Sequence, residues 1–471
     1  MLEGKYKRLI SNTAILAVGT FTSKVLVFLL MPLYTALLST AEFGIADLVT
    51  QTANLIIPLA AVGICDGLFR FALDAKGNER DEKCVFTSAL LVIFIGSIVT
   101  LGVVQILRSV DALEKYVFVV AAYVICSNLH SISAQFVRAL GKTTLFAAQG
   151  ILNTALTIVL NIFFLIVFDM GAMGYVLSVV VANLFVTIVL FFVAKLYKYI
   201  SMGSIDRDCF AQMLKFSVPC IPTTMMWLIT SVSDRYIVSA YIGVAENGLY
   251  AAAYKLPTVL ILVCGVFIEA WQSSLIQDVT DEERVRFFST VFRNYMGILF
   301  MGAAVIIAGA KIFTRILFAD AYYDSWRFVP ILVIAMTFSM LVSFLGTVYF
   351  LEKKSVMSML TAMAGAIVNV ILNFVLIPTH GALGAAVATA ISYVAVYAIR
   401  AYDTRFYVKF DLHTRRLILN TALILAQSLI VIAEPSGWML FTAVIFAAVM
   451  VINAREIVSS LMTMIKRFIK R

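Results

Sequence analysis

Long apolar runs broken by short polar segments fill the chain from end to end. They cover residues 11–38, 43–69, 84–107, 116–137, 143–168, 172–194, 216–242, 248–276, 288–318, 326–351, 356–378, 382–402, 417–433 and 438–457. A helix needs about 20 such residues to cross the hydrocarbon core of a bilayer, so the pattern predicts an all-α polytopic membrane protein of about fourteen transmembrane helices. The longest polar connection is 195–215.

The pattern also repeats. Ala41-Glu42-Phe43-Gly44-Ile45 and Ala245-Glu246-Asn247-Gly248-Leu249 each break two apolar runs. Leu160-Asn161 leading to Gly171-Ala172-Met173-Gly174 is matched by Leu372-Asn373 leading to Gly381-Ala382-Leu383-Gly384. Each copy then spans six helices, an even number, so both enter the membrane the same way round and form a parallel repeat about an axis along the membrane normal. The expected layout is a six-helix bundle over 1–194, a cytoplasmic linker over 195–215, a second six-helix bundle over 216–416, and two additional helices with a basic tail over 417–471. The two bundles are expected to enclose a central cavity.

Composition strengthens the membrane assignment. The chain is 62% hydrophobic and 13% charged, with a mean hydropathy of +0.99, whereas soluble globules average about 45–50% apolar and ~25% charged. A net charge of +9 admits a nucleic-acid partner until the charges are placed. With a cytoplasmic amino terminus, the external turns hold only Arg108, Lys115, Lys311, Arg315 and Arg327, and Lys24, Arg235 and Lys255 lie within spans. All other lysines and arginines fall on the cytoplasmic side, which is the positive-inside pattern rather than a nucleic-acid surface. Both termini are therefore placed in the cytoplasm. The six cysteines show no Cys-x-x-Cys pair and no metal spacing, and they read as small apolar fillers. No cofactor, metal or catalytic residue is expected.

Charges inside the spans are the candidate chemistry, because an ion at membrane depth needs a wet cavity or a partner. Lys24 lies about 20 Å from either end of the first run, too deep for its side chain to reach the interface. Arg235 and Lys255 are each seven residues from the outer end of adjacent antiparallel spans, so they share one depth with Asp234 beside them. They read either as phosphate ligands or as a local Asp234–Lys255 pair. Arg70 follows Asp66 by one turn, and Asp66 and Glu269 fall at nearly matching positions of the two copies, so Asp66, Arg70, Asp234 and Glu269 are coupling or gating candidates or ordinary ion pairs. Gln51 and Asn54 share a helix face and, with Tyr250, Tyr254, Trp271 and Gln272, suit sugar binding or interhelical hydrogen bonding. Asn153, Asn161, Asn369 and Asn373 read as packing residues. Pro32, Pro58, Pro219, Pro222 and Pro257 fall in the first, second, seventh and eighth spans, which are expected to bend.

The layout, the pattern from Pro219 through Asp234, Tyr241-Ile242-Gly243, Gly248-Leu249-Tyr250 and Ala253-Tyr254-Lys255, and the turn Arg138-Ala139-Leu140-Gly141-Lys142 together resemble the oligosaccharide flippase (Wzx-type) branch of the MOP exporter superfamily. Its relatives are the lipid II flippase and the multidrug MATE exporters. The resemblance covers essentially the whole chain. It implies movement of an undecaprenyl-diphosphate-linked sugar repeat unit (capsule, O-antigen, teichoic acid or similar) between leaflets of a bacterial cell membrane by alternating access. It also leaves room for a polysaccharide polymerase and glycosyltransferases as partners. Lys24 matches in type and place a cavity-facing cation on the first helix of the lipid II branch, and the substrate-binding set becomes Lys24, Arg235, Lys255, Gln51, Asn54 and Tyr254. A MATE-like exporter, a membrane polymerase or lipid-sugar transferase, and a noncatalytic scaffold are the alternatives. Cationic-drug export needs an anionic cavity, and an enzyme needs an acid/base constellation on a large loop, whereas 195–215 has only Asp206 and Asp208.

Overall fold

A computed structural model describes residues 28–274, 281–352 and 354–469. The chain divides into two compact units, Met1–Val232 and Ser233–Arg471. Among the described residues, 11 helices are long and apolar enough to cross a membrane, and Trp438–Ala454 adds a shorter apolar one. Large apolar side chains stand outward along them, including Phe94, Ile106, Phe118, Phe192 and Ile316, each more than 60% exposed. A soluble surface does not present apolar groups on this scale, and a lipid-facing one does.

The first unit contains α1 (Met31–Leu37), α2 (Thr40–Ala60), α3 (Ile64–Asp74), α4 (Glu79–Val103), α5 (Val117–Ala139), α6 (Thr143–Ile162), α7 (Gly171–Val193) and α8 (Arg207–Ser217). The division itself falls within α9 (Cys220–Tyr241). α2 starts where Ser39 and Glu42 form a reciprocal capping box: the Glu42 N–H donates to the Ser39 hydroxyl, and the Ser39 N–H donates to the Glu42 carboxylate at 2.9 Å. That arrangement satisfies two otherwise orphaned donors at the polar break between spans. α5 lies at the centre, with Val120, Val124, Ile132, Phe136 and Val137 sealed from solvent.

The second predicted span, 43–69, is not one helix. It breaks between α2 and α3, where Val62 (φ 51°) and Gly63 (φ +65°) are both left-handed. A Cβ on Gly63 would lie 2.8 Å from the Ser217 carbonyl oxygen, so only glycine lets α3 meet the end of α8 here. The hydropathy is continuous across the break, which hid it. The polar stretch 195–215 is likewise more than a linker, since it carries two short 3-10 turns and most of α8. The prolines take two kinds of position. Pro32 lies at the start of α1 and Pro219 precedes α9, whereas Pro58 and Pro257 lie inside their helices. The first turn tolerates proline because its N–H has no helical partner.

The second unit continues with α10 (Val244–Ser274), α11 (Asp281–Leu317), α12 (Val329–Leu351), α13 (Ser355–Thr404), α14 (Thr414–Ala433) and α15 (Trp438–Ile469). α12 is its core helix, buried along nearly its whole length. α13 comprises two helical stretches that meet at Gly381, whose φ of 60° and ψ of −147° are non-helical and fall in a region that is essentially glycine-only. Asn369 and Thr389 are 20 residues apart, about 30 Å along a straight helix, but their side chains meet at 3.3 Å. Gly381 therefore reverses the chain and creates the two antiparallel spans expected from 356–378 and 382–402.

α14 and α15 pack onto α11. Gln427 donates to the Ala304 carbonyl at 3.2 Å, and Asn420 and Asn453 exchange amide hydrogen bonds at 2.8 and 3.3 Å. Lys311 joins this edge together, pairing with Glu434 and lying over the rings of Trp326 (4.3 Å) and Trp438 (4.7 Å).

Arg400, counted from sequence among the cytoplasmic surface cations, is instead 2% exposed. It donates to the Thr361 hydroxyl at 2.9 Å, the Val342 carbonyl at 3.0 Å and the Ser358 carbonyl at 3.2 Å, tying α12 to α13. A guanidinium is weakly hydrated and its planar fork can serve several acceptors at once, so it turns inward where a lysine would not. Arg400→Ala removes these charge-assisted hydrogen bonds and leaves a cavity where the buried side chain packed, and should lower stability by about 3 kcal/mol. Arg400→Lys should rescue only part of that loss. Thermal unfolding of the purified protein tests this, and an unchanged melting temperature in Arg400→Ala would refute the assignment.

Candidate functional site

α9 and α10 meet at Gly243 (φ +124°), where the Gly243 N–H bonds the Val238 carbonyl at 3.1 Å and the Asn247 N–H bonds the Gly243 carbonyl at 3.3 Å. This tight reversal brings the end of α9 alongside the start of α10. Asp234 on α9 is fully buried. Its carboxylate accepts the Tyr250 hydroxyl at 2.6 Å, the Thr389 hydroxyl at 3.4 Å and the Arg235 backbone N–H at 2.9 Å. Tyr250 is itself fully buried, and its ring packs edge-on against Tyr254 at 5.3 Å. The Arg235 guanidinium lies 4.7 Å from the centre of the Tyr254 ring and is 6% exposed.

A second layer connects this cluster to α13. The Ser233 hydroxyl donates to the Asn369 side-chain oxygen at 2.8 Å, which also accepts from the Asn373 amide at 2.9 Å. The Asn369 amide in turn reaches Thr389 at 3.3 Å and Ser392 at 3.4 Å across the Gly381 reversal. One ionisable group and its hydroxyl and amide neighbours thus fasten three helices in a setting where an unsatisfied polar group is expensive. Carboxylate, hydroxyl and amide oxygens are hard donors, suited to a proton or a small hard cation.

The remaining predicted residues fall as follows. Lys255 on α10 is half-buried, and Tyr254 is buried beneath Arg235. Gln51 and Asn54 are half-buried on α2 and form a ladder with Asp47: Gln51 donates to Asp47 at 3.3 Å and Asn54 to Gln51 at 3.4 Å. Asp47 was not singled out by the sequence, although its i−4 spacing from Gln51 marks it. Arg70 pairs with Asp74 at 3.9 Å, with both side chains well exposed, an ion pair of little energetic weight. Lys24 lies outside the described residues, as do the side chains of Asp66, Glu269 and Gln272.

Two readings from sequence are corrected. Trp271 and Tyr250 do not offer open faces to a sugar. Trp271 is 4% exposed, stacks on Phe344 at 5.5 Å and donates to Thr347 at 3.1 Å, because a buried indole satisfies its N–H inside the core. Asn369 and Asn373 are more than packing groups, since they join Ser233 and Thr389 around Asp234. Their i, i+4 spacing on the face of the repeated Leu-Asn motif was the available signal. Asn161, their counterpart in the first copy, bonds only back to Thr157 of its own helix, at 2.8 Å.

Comparison with curated protein sequences gives no match. Among solved structures, the chain is similar to the lipid II flippase MurJ in an inward closed conformation, with a TM-score of 0.71 and 15% identity over 95% of this chain and 100% of that one. It is similar to an inward-facing multidrug resistance MATE family transporter of the MOP superfamily, with a TM-score of 0.69 and 13% identity over 83% of this chain and 96% of that one. A MOP superfamily transporter from Pyrococcus furiosus, described as having a binding pocket of reverse polarity, gives a TM-score of 0.58 and 13% identity over 83% and 95%. At these identities the likeness establishes the fold, that of the MATE and MurJ transporters. The family model described as polysaccharide biosynthesis protein matches residues 9–271, more than half of the chain, and the protein is therefore a multi-pass membrane transporter belonging to the polysaccharide biosynthesis protein family.

Proposed function

We propose that this transporter moves an undecaprenyl-diphosphate-linked oligosaccharide from the cytoplasmic to the outer leaflet by alternating access, without covalent chemistry. The chain would consist of two parallel six-helix copies, with α14 and α15 as additions and both termini in the cytoplasm. The observation that supports this reading most directly is the cationic character of the intramembrane positions, Lys24, Arg235 and Lys255, in a member of a polysaccharide biosynthesis family. A diphosphate needs such charges, whereas a cationic drug would be repelled by them.

In this reading Lys24, Arg235 and Lys255 hold the diphosphate, and the Asp47, Gln51 and Asn54 ladder faces the sugars. Lys255 is half-buried and therefore the more reachable of the second pair. Arg235 is buried against the Tyr254 ring, so a phosphate reaches it only after this contact rearranges. Asp234 is the coupling group. Its charge holds α9, α10 and α13 together through Tyr250 and Thr389, and neutralising it with a proton or a small cation loosens that contact. Asp66 and Glu269 remain candidates for the same role from the cytoplasmic side.

Two variants test these roles. Lys24→Ala should abolish surface-polymer export while the protein still inserts normally, and a stably expressed, fully active variant would remove Lys24 from the site. Asp234→Asn keeps the side-chain shape and an acceptor for Tyr250 but fixes the charge at zero. Leaflet-resolved transport of a lipid-linked oligosaccharide by the purified variant in liposomes should fall by about tenfold and lose its dependence on pH or sodium, a barrier change of about 1.4 kcal/mol. Wild-type transport with unchanged pH and sodium dependence would exclude Asp234 as the coupling group. The same assay on the wild-type protein separates a flippase from a scaffold, which would move nothing.

A further inference from the structure

The turn between α5 and α6, Arg138 to Lys142, has no part in the proposed translocation site, yet it carries two cations and a third reaches it. Arg138, at the last turn of α5, is half-buried between two aromatic rings, 4.7 Å from the centre of Phe69 and 5.4 Å from that of Phe146. Lys142 folds over to the end of α7 and donates to the Ala194 carbonyl at 3.2 Å. Lys76 arrives from the connection between α3 and α4. Its ammonium lies 2.6 Å from where a Cβ on Gly141 would stand, and the φ of +81° at Gly141 favours glycine in this turn.

The acids of this region are already engaged. Asp74 pairs with Arg70 at 3.9 Å and Glu79 with Lys83 at 2.7 Å. Asp81 accepts from the Asn78 amide at 2.7 Å, and Glu82 accepts from the Gly77 N–H at 3.0 Å. Among the described residues, no carboxylate pairs with Lys76, Arg138 or Lys142, and no acceptor meets the N–H groups of Arg138. Three like charges set around one tight turn, none paired with a carboxylate among the described residues, repel one another, and such a turn is complementary to an anion. The first turn of α6 acts in the same sense, with no side-chain cap and no acidic residue.

We propose that Lys76, Arg138 and Lys142 form a phosphate-ester site at the end of the first unit that the charge distribution places at the cytoplasmic surface. Arg138, oriented by Phe69 and Phe146, presents its planar fork to phosphate oxygens, and the two lysines add point charges. The headgroup of an anionic phospholipid and the diphosphate of a lipid-linked sugar carry this same chemistry, and the site is independent of whether the protein is a flippase.

The test is binding of phosphatidylglycerol and, separately, of undecaprenyl diphosphate to the purified full-length protein in neutral detergent, with phosphatidylcholine as the zwitterionic control. The double variant Lys76→Ala/Lys142→Ala should bind at least one anionic lipid about tenfold more weakly than wild type. Lys195→Ala/Lys198→Ala removes the same charge from the same end and should change binding less than twofold. Arg138→Lys should weaken binding at constant charge, and an unchanged melting temperature in each variant confirms folding. Loss confined to phosphatidylglycerol identifies a membrane-lipid site, and loss confined to undecaprenyl diphosphate identifies a substrate-lipid site. Equal loss in the two double variants, or no loss in the first, overturns the proposal, because the surface would then act only through its total charge.

Discussion

A carboxylate removed from water inside a membrane protein must be met by donors, and Asp234 shows how much structure that requirement organises. The Tyr250 hydroxyl comes from α10, the Thr389 hydroxyl from the second half of α13, and the Arg235 N–H from the next peptide unit. None of these donors works alone, because one hydrogen bond does not replace the hydration shell of an ion. The Gly243 turn must bring α10 alongside α9, and the Gly381 reversal must return α13 so that Asn369 and Thr389 share one cluster. The backbone specials of the second unit and its buried acid are therefore one arrangement. Changing the charge on Asp234 acts on three helices at once.

Arg400 solves the opposite problem by another route. Its guanidinium draws on the Val342 and Ser358 carbonyls and the Thr361 hydroxyl. Helical carbonyls carry a second lone pair, so they accept from an arginine without giving up the helix ladder. This makes Arg400 a fastener between α12 and α13, with its donors committed to the fold. Arg235 has a different setting, against the face of the Tyr254 ring and next to an acid. The two buried arginines thus sit in different surroundings, and burial alone does not distinguish them.

How much of this was readable in advance depended on whether the signal was local. Helices such as α5 and α7 fall within a residue or two of the apolar runs 116–137 and 172–194, because uninterrupted hydrophobic length is a local property. The break at Val62 and Gly63 left no trace in hydropathy, and the contact it permits, with the end of α8 at Ser217, lies far along the chain. That Arg235 would meet the segment around Lys255 across the Gly243 turn followed from counting residues, as its contact with Tyr254 shows. The partners of Asp234 did not, since Thr389 is 155 positions away. Asn369 and Asn373 looked like helix-packing groups for the same reason: spacing within a helix shows which side chains share a face, but not which helix that face meets.

The same distinction explains a fold kept at 13–15% identity to its structural neighbours. On a lipid-facing surface, Phe94, Ile106 or Ile316 is replaceable by another large apolar residue, because hydrocarbon tails do not distinguish them. Most of the chain can therefore change without altering which segments span the membrane. What cannot change freely is the small set of positions where a backbone reversal or a buried polar group has one physical solution. Gly381 must take a conformation closed to other residues, and Asp234 must find hydroxyl donors on two other helices. The architecture is thus set by apolar length together with a few polar fasteners, and the polar groups are also the ones whose charge a ligand, a proton or an ion can alter.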